Sequence, residues 1–186
     1  MQNLYTLSNL LSFFRLLLAI PLWFLFDDLA DESTLYIILA IIFAAILTDF
    51  LDGYLARKYN EVSEAGKIID PIADKTLVGI VVLKLFVLGE IPAHLFFMVI
   101  GRDILIFLGG LVLSTKIGKV LPSNMLGKIT VTILSLLLIL IILQVDKSIF
   151  IFQILYYITL ALIVVSFVAY LIRAIEFLNR KKHGTI

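Results

Sequence analysis

The sequence predicts an all-α integral membrane protein, a bundle of six transmembrane helices with both termini on the cytoplasmic side. Three observations carry that prediction. Of 186 residues, 62% are hydrophobic and 16% charged, against about 45–50% and 25% in soluble domains. Mean hydropathy is +1.12. A small chain leaves much of its surface outside any core, so this apolar surplus must face lipid. The apolar residues also fall into runs of roughly the 20 residues that span a bilayer, with no sustained strand alternation. The net charge of +1 gives no bulk attraction to a polyanion, so no nucleic-acid partner is expected. The absence of cysteine excludes disulfide and thiolate chemistry. At 20.9 kDa there is room for one domain, 1–186, and no internal repeat is visible.

Taken in order, the spans are expected at 8–26, 34–58, 69–89, 92–115, 124–143 and 148–178. The first is read as a retained span and not a cleaved signal: it lacks a basic leading region, Arg15 interrupts it, and no small-residue cleavage site follows. The acidic stretch 27–33 separates it from the second. Polar residues and Gly66 separate the second from the third, and a Gly/Pro turn over 89–92 starts the fourth. Basic sequence ending near Pro122 precedes the fifth, and a short polar link at 144–148 precedes the sixth. The last helix overruns the bilayer in RAIEFLNRKK, which reads as a snorkelling basic end. Lys84 is likewise expected to snorkel outward.

Lysine and arginine placement sets the orientation. Arg57, Lys58, Lys67, Lys116, Lys119, Lys128, Arg173, Arg180, Lys181 and Lys182 fall on one side. The other side holds the acidic residues 27–32, Glu90 and Asp146, with Lys147 as its one clear basic residue.

Chemistry is concentrated in the second and third spans. Asp49 and Asp52 are spaced i, i+3, and Asp70 and Asp74 i, i+4, so each pair shares a helical face. Asp49 lies about 22 Å along its helix at 1.5 Å per residue, near the cytoplasmic end, and Asp70 opens the next helix at the same level. Two antiparallel neighbours joined by a short loop would let four carboxylates converge. Such a group stays ionised in a low dielectric only if cations neutralise it. Oxygen ligands select hard cations such as Mg²⁺, Mn²⁺ or Ca²⁺, and four carboxylates suit a two-metal phosphoryl-transfer site. The neighbours agree: Gly53 lets a bulky substrate approach the backbone, Ala56 keeps the face of Asp52 open, and Arg57 is a fixed cation suited to phosphate. Gly66 gives the loop a turn, and Pro71 suits the first turn of the third helix.

Residues 49–75 read DFLDGYLARKYNEVSEAGKIIDPIADK, or D-x2-D-G-x2-A-R-x8-G-x3-D-x3-D through Asp74. This resembles the signature of the CDP-alcohol phosphatidyltransferase family, and the size and span number of the whole chain are compatible. The resemblance implies a six-helix membrane enzyme, usually a homodimer, that uses two divalent cations, Mg²⁺ or Mn²⁺. Members transfer a substituted phosphate from a CDP-linked donor to an alcohol and release CMP. In the family roles, Asp49, Asp52, Asp70 and Asp74 bind the metals and Asp74 is also the catalytic general base. Gly53, Ala56, Arg57 and Gly66 line the CDP pocket, with Asp49 beside it.

GKIIDPIADK looks like the form found in the branch that uses CDP-diacylglycerol and glycerol 3-phosphate, and SNLLSFFR is similar to the start of the same branch. Asn9 and Ser12 are thereby assigned to the CDP group, and Arg15 to phosphate. Arg102, Lys119 and Lys128 are the candidate cations for an acceptor that carries its own phosphate. Asp103 after Arg102, where that branch often has Glu, and the PSNM stretch depart from the pattern. They leave phosphatidylglycerol or an inositol phosphate open as acceptor.

Plainer readings exist for several of these residues. The aspartates could pair with Arg57, Lys67 or Lys75, although intramembrane carboxylates are functional by default. Arg102 and Asp103 equally suit an inter-helix salt bridge. Gly109 and Gly110 allow close helix packing, a contact between subunits included. A cation-coupled transporter is the alternative of another class. Against it, transporters tend to repeat their binding groups in two halves, and no counterpart of these carboxylates occurs after the third span. The expected location is a bacterial inner membrane, with the active site facing the cytoplasm.

Overall fold

The computed structural model describes the backbone of residues 7–59, 66–117 and 125–182, and the side chains of 10–51, 75–110, 112–113 and 125–178. Among these residues every regular element is helical. The order is α1 (Leu7–Leu25), a 3-10 turn (Phe26–Asp28), α2 (Glu32–Tyr59), α3 (Gly66–Val87), α4 (Ala93–Ile117), α5 (Met125–Ile142) and α6 (Phe150–Lys182). All six expected helices are present, most ends within two or three residues of expectation. Five of them, all but α3, contain a stretch long and apolar enough to cross a membrane among the described residues. The α3 helix begins at Gly66, so Asp70 lies in its second turn and Pro71 follows, where the sequence placed both at the helix start. Proline there removes only the backbone bond to Lys67, a carbonyl so near the helix start that the helix carries on through it.

Helix ends follow side-chain and glycine chemistry. Asp31 caps α2: its Oδ2 accepts from the Thr34 N–H at 2.9 Å and from the Thr34 hydroxyl at 2.9 Å. Ser33 and Thr34 together hold the Asp31 carboxyl below its ordinary pKa, the Ser33 hydroxyl bond contributing most. Asp146 turns the chain into α6 by accepting from the Ser148 N–H and hydroxyl, both at 2.8 Å, which lowers its pKa in the same way. The C-terminus of α3 closes at Gly89, φ +76°, with Gly89 N–H on Phe86 C=O at 3.0 Å and Glu90 N–H on Leu85 C=O at 2.8 Å. The α5 helix ends in the same paired-bond motif around Gln144, φ +53°, with bonds to Ile141 and Leu140 at 2.9 and 3.1 Å.

The chain divides into two compact units, Met1–Ile91 and Pro92–Ile186. In the first, α1 packs against both α2 and α3. Leu22, Phe26, Ile38, Val82 and Leu85 are fully buried there. Ala19 and Ala45, 3% and 1% exposed, are the small residues that let membrane helices approach closely. In the second, α6 packs against both α4 and α5. Large apolar side chains remain outside both cores, Phe43 at 67% and Phe150 at 73% exposure. That is the surface a lipid solvent requires.

Lipid tails are as apolar as leucine, so apolar burial alone discriminates little between helix pairings and polar pins matter more. Lys84, the last-turn cation of α3, is 4% exposed and does not reach outward as expected. Its Nζ lies 2.6 Å from Asp27 Oδ1 and 4.6 Å from the centre of the Trp23 ring, so partners supplied by the end of α1 and the turn after it replace water. In the second unit Tyr170 OH donates to the Ile106 carbonyl at 3.1 Å. A Cβ at Gly109 would stand 3.3 Å from that tyrosine ring. Gly109 therefore serves the packing of α4 on α6 within the chain. Thr130 donates to Leu126 C=O at 2.7 Å and lies 3.3 Å from Leu162 C=O, linking α5 to α6.

Candidate active site

The signature is carried by the C-terminal turns of α2 and the N-terminal turns of α3, either side of residues 60–65. Asp49, Asp52, Gly53, Ala56 and Arg57 lie on α2, and Gly66, Asp70 and Asp74 on α3. The helical register therefore keeps each aspartate pair about one turn apart. The α1 helix is the packing partner of both. The side chains of Asp52, Gly53, Ala56, Arg57, Gly66, Asp70 and Asp74 lie outside the described residues, as do the side chain of Asn9 and the whole of Lys119. Among the described residues no group of three or more His, Cys, Asp or Glu side chains comes together.

Asp49 is the signature residue whose side chain is described. Its Oδ1 lies 3.0 Å from Arg15 Nη1, and its side chain is 56% exposed against 2% for Arg15. One carboxylate oxygen is thus in ion-pair contact with a buried cation, with no hydrogen bond from Nη1 among the described residues, while the group stays open to a ligand. Hard oxygen of this kind fits a divalent cation. Ser12, one turn before Arg15 on α1, is fully buried. The contact between Arg15 and Asp49 was not legible in the sequence, because it depends on how α1 is rotated against α2.

A groove of about 300 Å³ opens along α1 and α3, lined by Leu16, Ala19, Ile20, Trp23, Phe24, Thr76 and Ile80. Among the described residues its wall carries no charged side chain.

In the second unit, Arg102 on α4 is 12% exposed in its side chain, and Nη1 donates to the neighbouring Asp103 at 2.5 Å. The ion pair lies within one helix, and the link between helices is instead Nη2 to Ser166 Oγ of α6 at 3.4 Å. Ser166 donates its own proton to Ile163 C=O at 3.0 Å, which turns its lone pairs to the guanidinium. A Cβ at Gly127 would stand 3.3 Å from the same Nη2, so glycine makes room for the cation on α5. Arg102 Nε is buried without an acceptor among the described residues. Lys128, next to Gly127, is exposed. Sequence reading singled out Arg102 and Lys128 but not Ser166, a lone serine in an apolar run that the structure places beside Arg102.

Comparison with known proteins extends this picture over the chain. Residues 5–169 match the family described as CDP-alcohol phosphatidyltransferase. The chain is 35% identical over 180 residues to the CDP-diacylglycerol–glycerol-3-phosphate 3-phosphatidyltransferase of Aquifex aeolicus, covering 93% of this chain and 98% of that protein. It is 40% identical over 105 residues to the Bacillus subtilis protein of the same name, covering 55% and 54%. With the cardiolipin synthase (CMP-forming) of Rattus norvegicus it shares 38% identity over 106 residues, 56% of this chain and 34% of that one. A match that spans both units and includes every position of the aspartate signature makes this chain a member of the CDP-alcohol phosphatidyltransferase family, and hence an enzyme.

Proposed function

We propose that the enzyme transfers a phosphatidyl group from CDP-diacylglycerol to glycerol 3-phosphate and releases CMP. The observation that carries this reading is the 35% identity, over 93% of the chain, to the Aquifex aeolicus protein named for that reaction. The acceptor hydroxyl oxygen forms a new bond to the lipid-bearing phosphorus, the pyrophosphate P–O bond breaks, and CMP leaves. Asp74 is the base that takes the hydroxyl proton. Asp49, Asp52, Asp70 and Asp74 would hold two divalent cations, Mg²⁺ or Mn²⁺, which when bound supply positive charge to the pyrophosphate and the developing oxyanion. Asn9, Gly53, Ala56, Arg57 and Gly66 receive the CDP portion, and Ser12, fully buried, joins them only if its surroundings move. Arg102, Lys119 and Lys128 are the cations proposed for the acceptor's phosphate. Arg102 is supported by its buried Nε and by the space above Gly127.

The chain is read as one domain working as a homodimer in a bacterial inner membrane. All six helices, α3 included, cross it, with both termini and the signature on the cytoplasmic side. The charge asymmetry along the sequence supports that orientation. The partial similarity to a cardiolipin synthase favours phosphatidylglycerol as the second acceptor to test.

Purified protein supplied with CDP-diacylglycerol, Mg²⁺ or Mn²⁺ and a panel of alcohols decides the matter. CMP release and a lipid product with glycerol 3-phosphate are expected. Asp74→Asn is expected to lower the rate about 10²–10⁴-fold, the range of a lost general base. Absence of CMP release with every acceptor in the panel would sink this reading of the reaction, and a product only with phosphatidylglycerol or an inositol phosphate would reassign the acceptor.

A further inference from the structure

We propose that Arg15 is a positioning residue for Asp49: its buried guanidinium fixes one carboxylate oxygen and leaves the other for a divalent cation. This rests on the reading of Asp49 as a cation ligand and adds to it a residue from outside the signature. Arg15 is 2% exposed, and its Nη1 lies 3.0 Å from Asp49 Oδ1 as an ion pair without hydrogen-bond alignment, while Asp49 itself is 56% exposed. A guanidinium so enclosed meets a phosphate from solvent only if its surroundings move, whereas the carboxylate is already at hand. A charge buried to that depth persists when it is paired. Arg15 also sits on α1, which packs against both α2 and α3, so the element packed on both signature helices carries the charge beside the first aspartate.

Two effects oppose each other at Asp49. The positive charge of Arg15 repels an incoming cation, so its removal would tighten cation binding. Arg15 also orients the carboxylate, so its removal would release that side chain and weaken binding. Partners that orient metal ligands are commonly worth about 10–100-fold in affinity. Repulsion at a carboxylate more than half exposed is screened by water. Orientation therefore wins, and the sign of the change is diagnostic.

The measurement is Mn²⁺ binding to the purified full-length protein without substrate, by isothermal titration. Arg15→Gln is expected to weaken binding at least about tenfold. Arg15→Lys keeps the charge but not the planar fork and is expected to fall between Arg15→Gln and the parent. Because Arg15 acts through Asp49, adding Arg15→Gln to Asp49→Asn is expected to weaken binding little beyond Asp49→Asn alone. Unchanged or tighter Mn²⁺ binding in Arg15→Gln, or full additivity in the double variant, overturns the proposal. If Arg15→Gln does not fold, Arg15→Lys decides: weakened binding supports positioning and parental affinity overturns it. Parental affinity in Asp49→Asn overturns the proposal together with the ligand reading beneath it. Loss in Asp49→Asn with parental affinity in the Arg15 variants overturns the role of Arg15 alone.

Discussion

Asp27 and Lys84 stand 57 positions apart in sequence and 2.6 Å apart in space. The lysine is nearly sealed and the aspartate is more than half exposed. Such pairs separate what one sequence shows from what it withholds. The four aspartates of the signature are legible because each pair lies on one helix, where spacing alone fixes the shared face. Lys84 with Asp27, and Arg15 with Asp49, join different helices, and their contacts depend on rotations that no local pattern records. The asymmetry of burial predicts how the first pair responds to substitution. Asp27→Asn leaves Lys84 buried with a weaker acceptor and is expected to cost about 1–3 kcal/mol. Lys84→Met keeps the apolar stem against Trp23 and removes the charge that needed a partner, so it is expected to cost less. Thermal unfolding in detergent of the two single variants tests the ranking. A larger loss in Lys84→Met would mean that the ammonium, and not its satisfaction, holds α1 to α3.

At the scale of elements, the apolar runs located all six helices, five of which are long and apolar enough to cross a membrane among the described residues. Ends were less legible where the cause is backbone conformation. Gly89 announces its left-handed turn, since glycine adopts positive φ freely. Gln144 adopts φ +53° in the same motif without any such signal; the two bonds to Ile141 and Leu140 hold it there. A residue with a Cβ in that region is disfavoured by roughly 1–2 kcal/mol, and glycine loses part of that gain through its freer unfolded chain. Gln144→Gly is therefore expected to stabilise the protein by about 0.5–1 kcal/mol, and Gly89→Ala to destabilise it by a similar or larger amount. Unfolding midpoints for the two variants, measured side by side, should shift in opposite directions. A shift of the same sign in both would show that the left-handed turn at 144 is not the strained position.

For the whole molecule, the decisive expectation is the direction in which the chain threads the bilayer. Acidic residues cluster at 27–32 and at 146, whereas basic residues flank the opposite helix ends, and the basic bias is what sets orientation during insertion. The Asp31 cap of α2 and the Asp146 turn into α6 should therefore lie on the non-cytoplasmic side, and the 60–65 connector beside the aspartates on the cytoplasmic side. The chain contains no cysteine, so single introduced thiols report without background. Ser33→Cys and Ser148→Cys are expected to react with a membrane-impermeant maleimide in right-side-out vesicles, and Ser63→Cys only in inverted ones. Ser33 and Ser148 bond to the capping carboxylates, so the companion substitutions Glu32→Cys and Lys147→Cys, which spare those bonds, carry the same expectation. The α3 helix has polar residues in its first turns, which makes it the span most in need of this check. Labelling of positions 63 and 148 from the same side would mean an even number of crossings between them. That outcome would remove one or all of α3, α4 and α5 from the spans, whereas labelling from opposite sides requires all three to cross or only one.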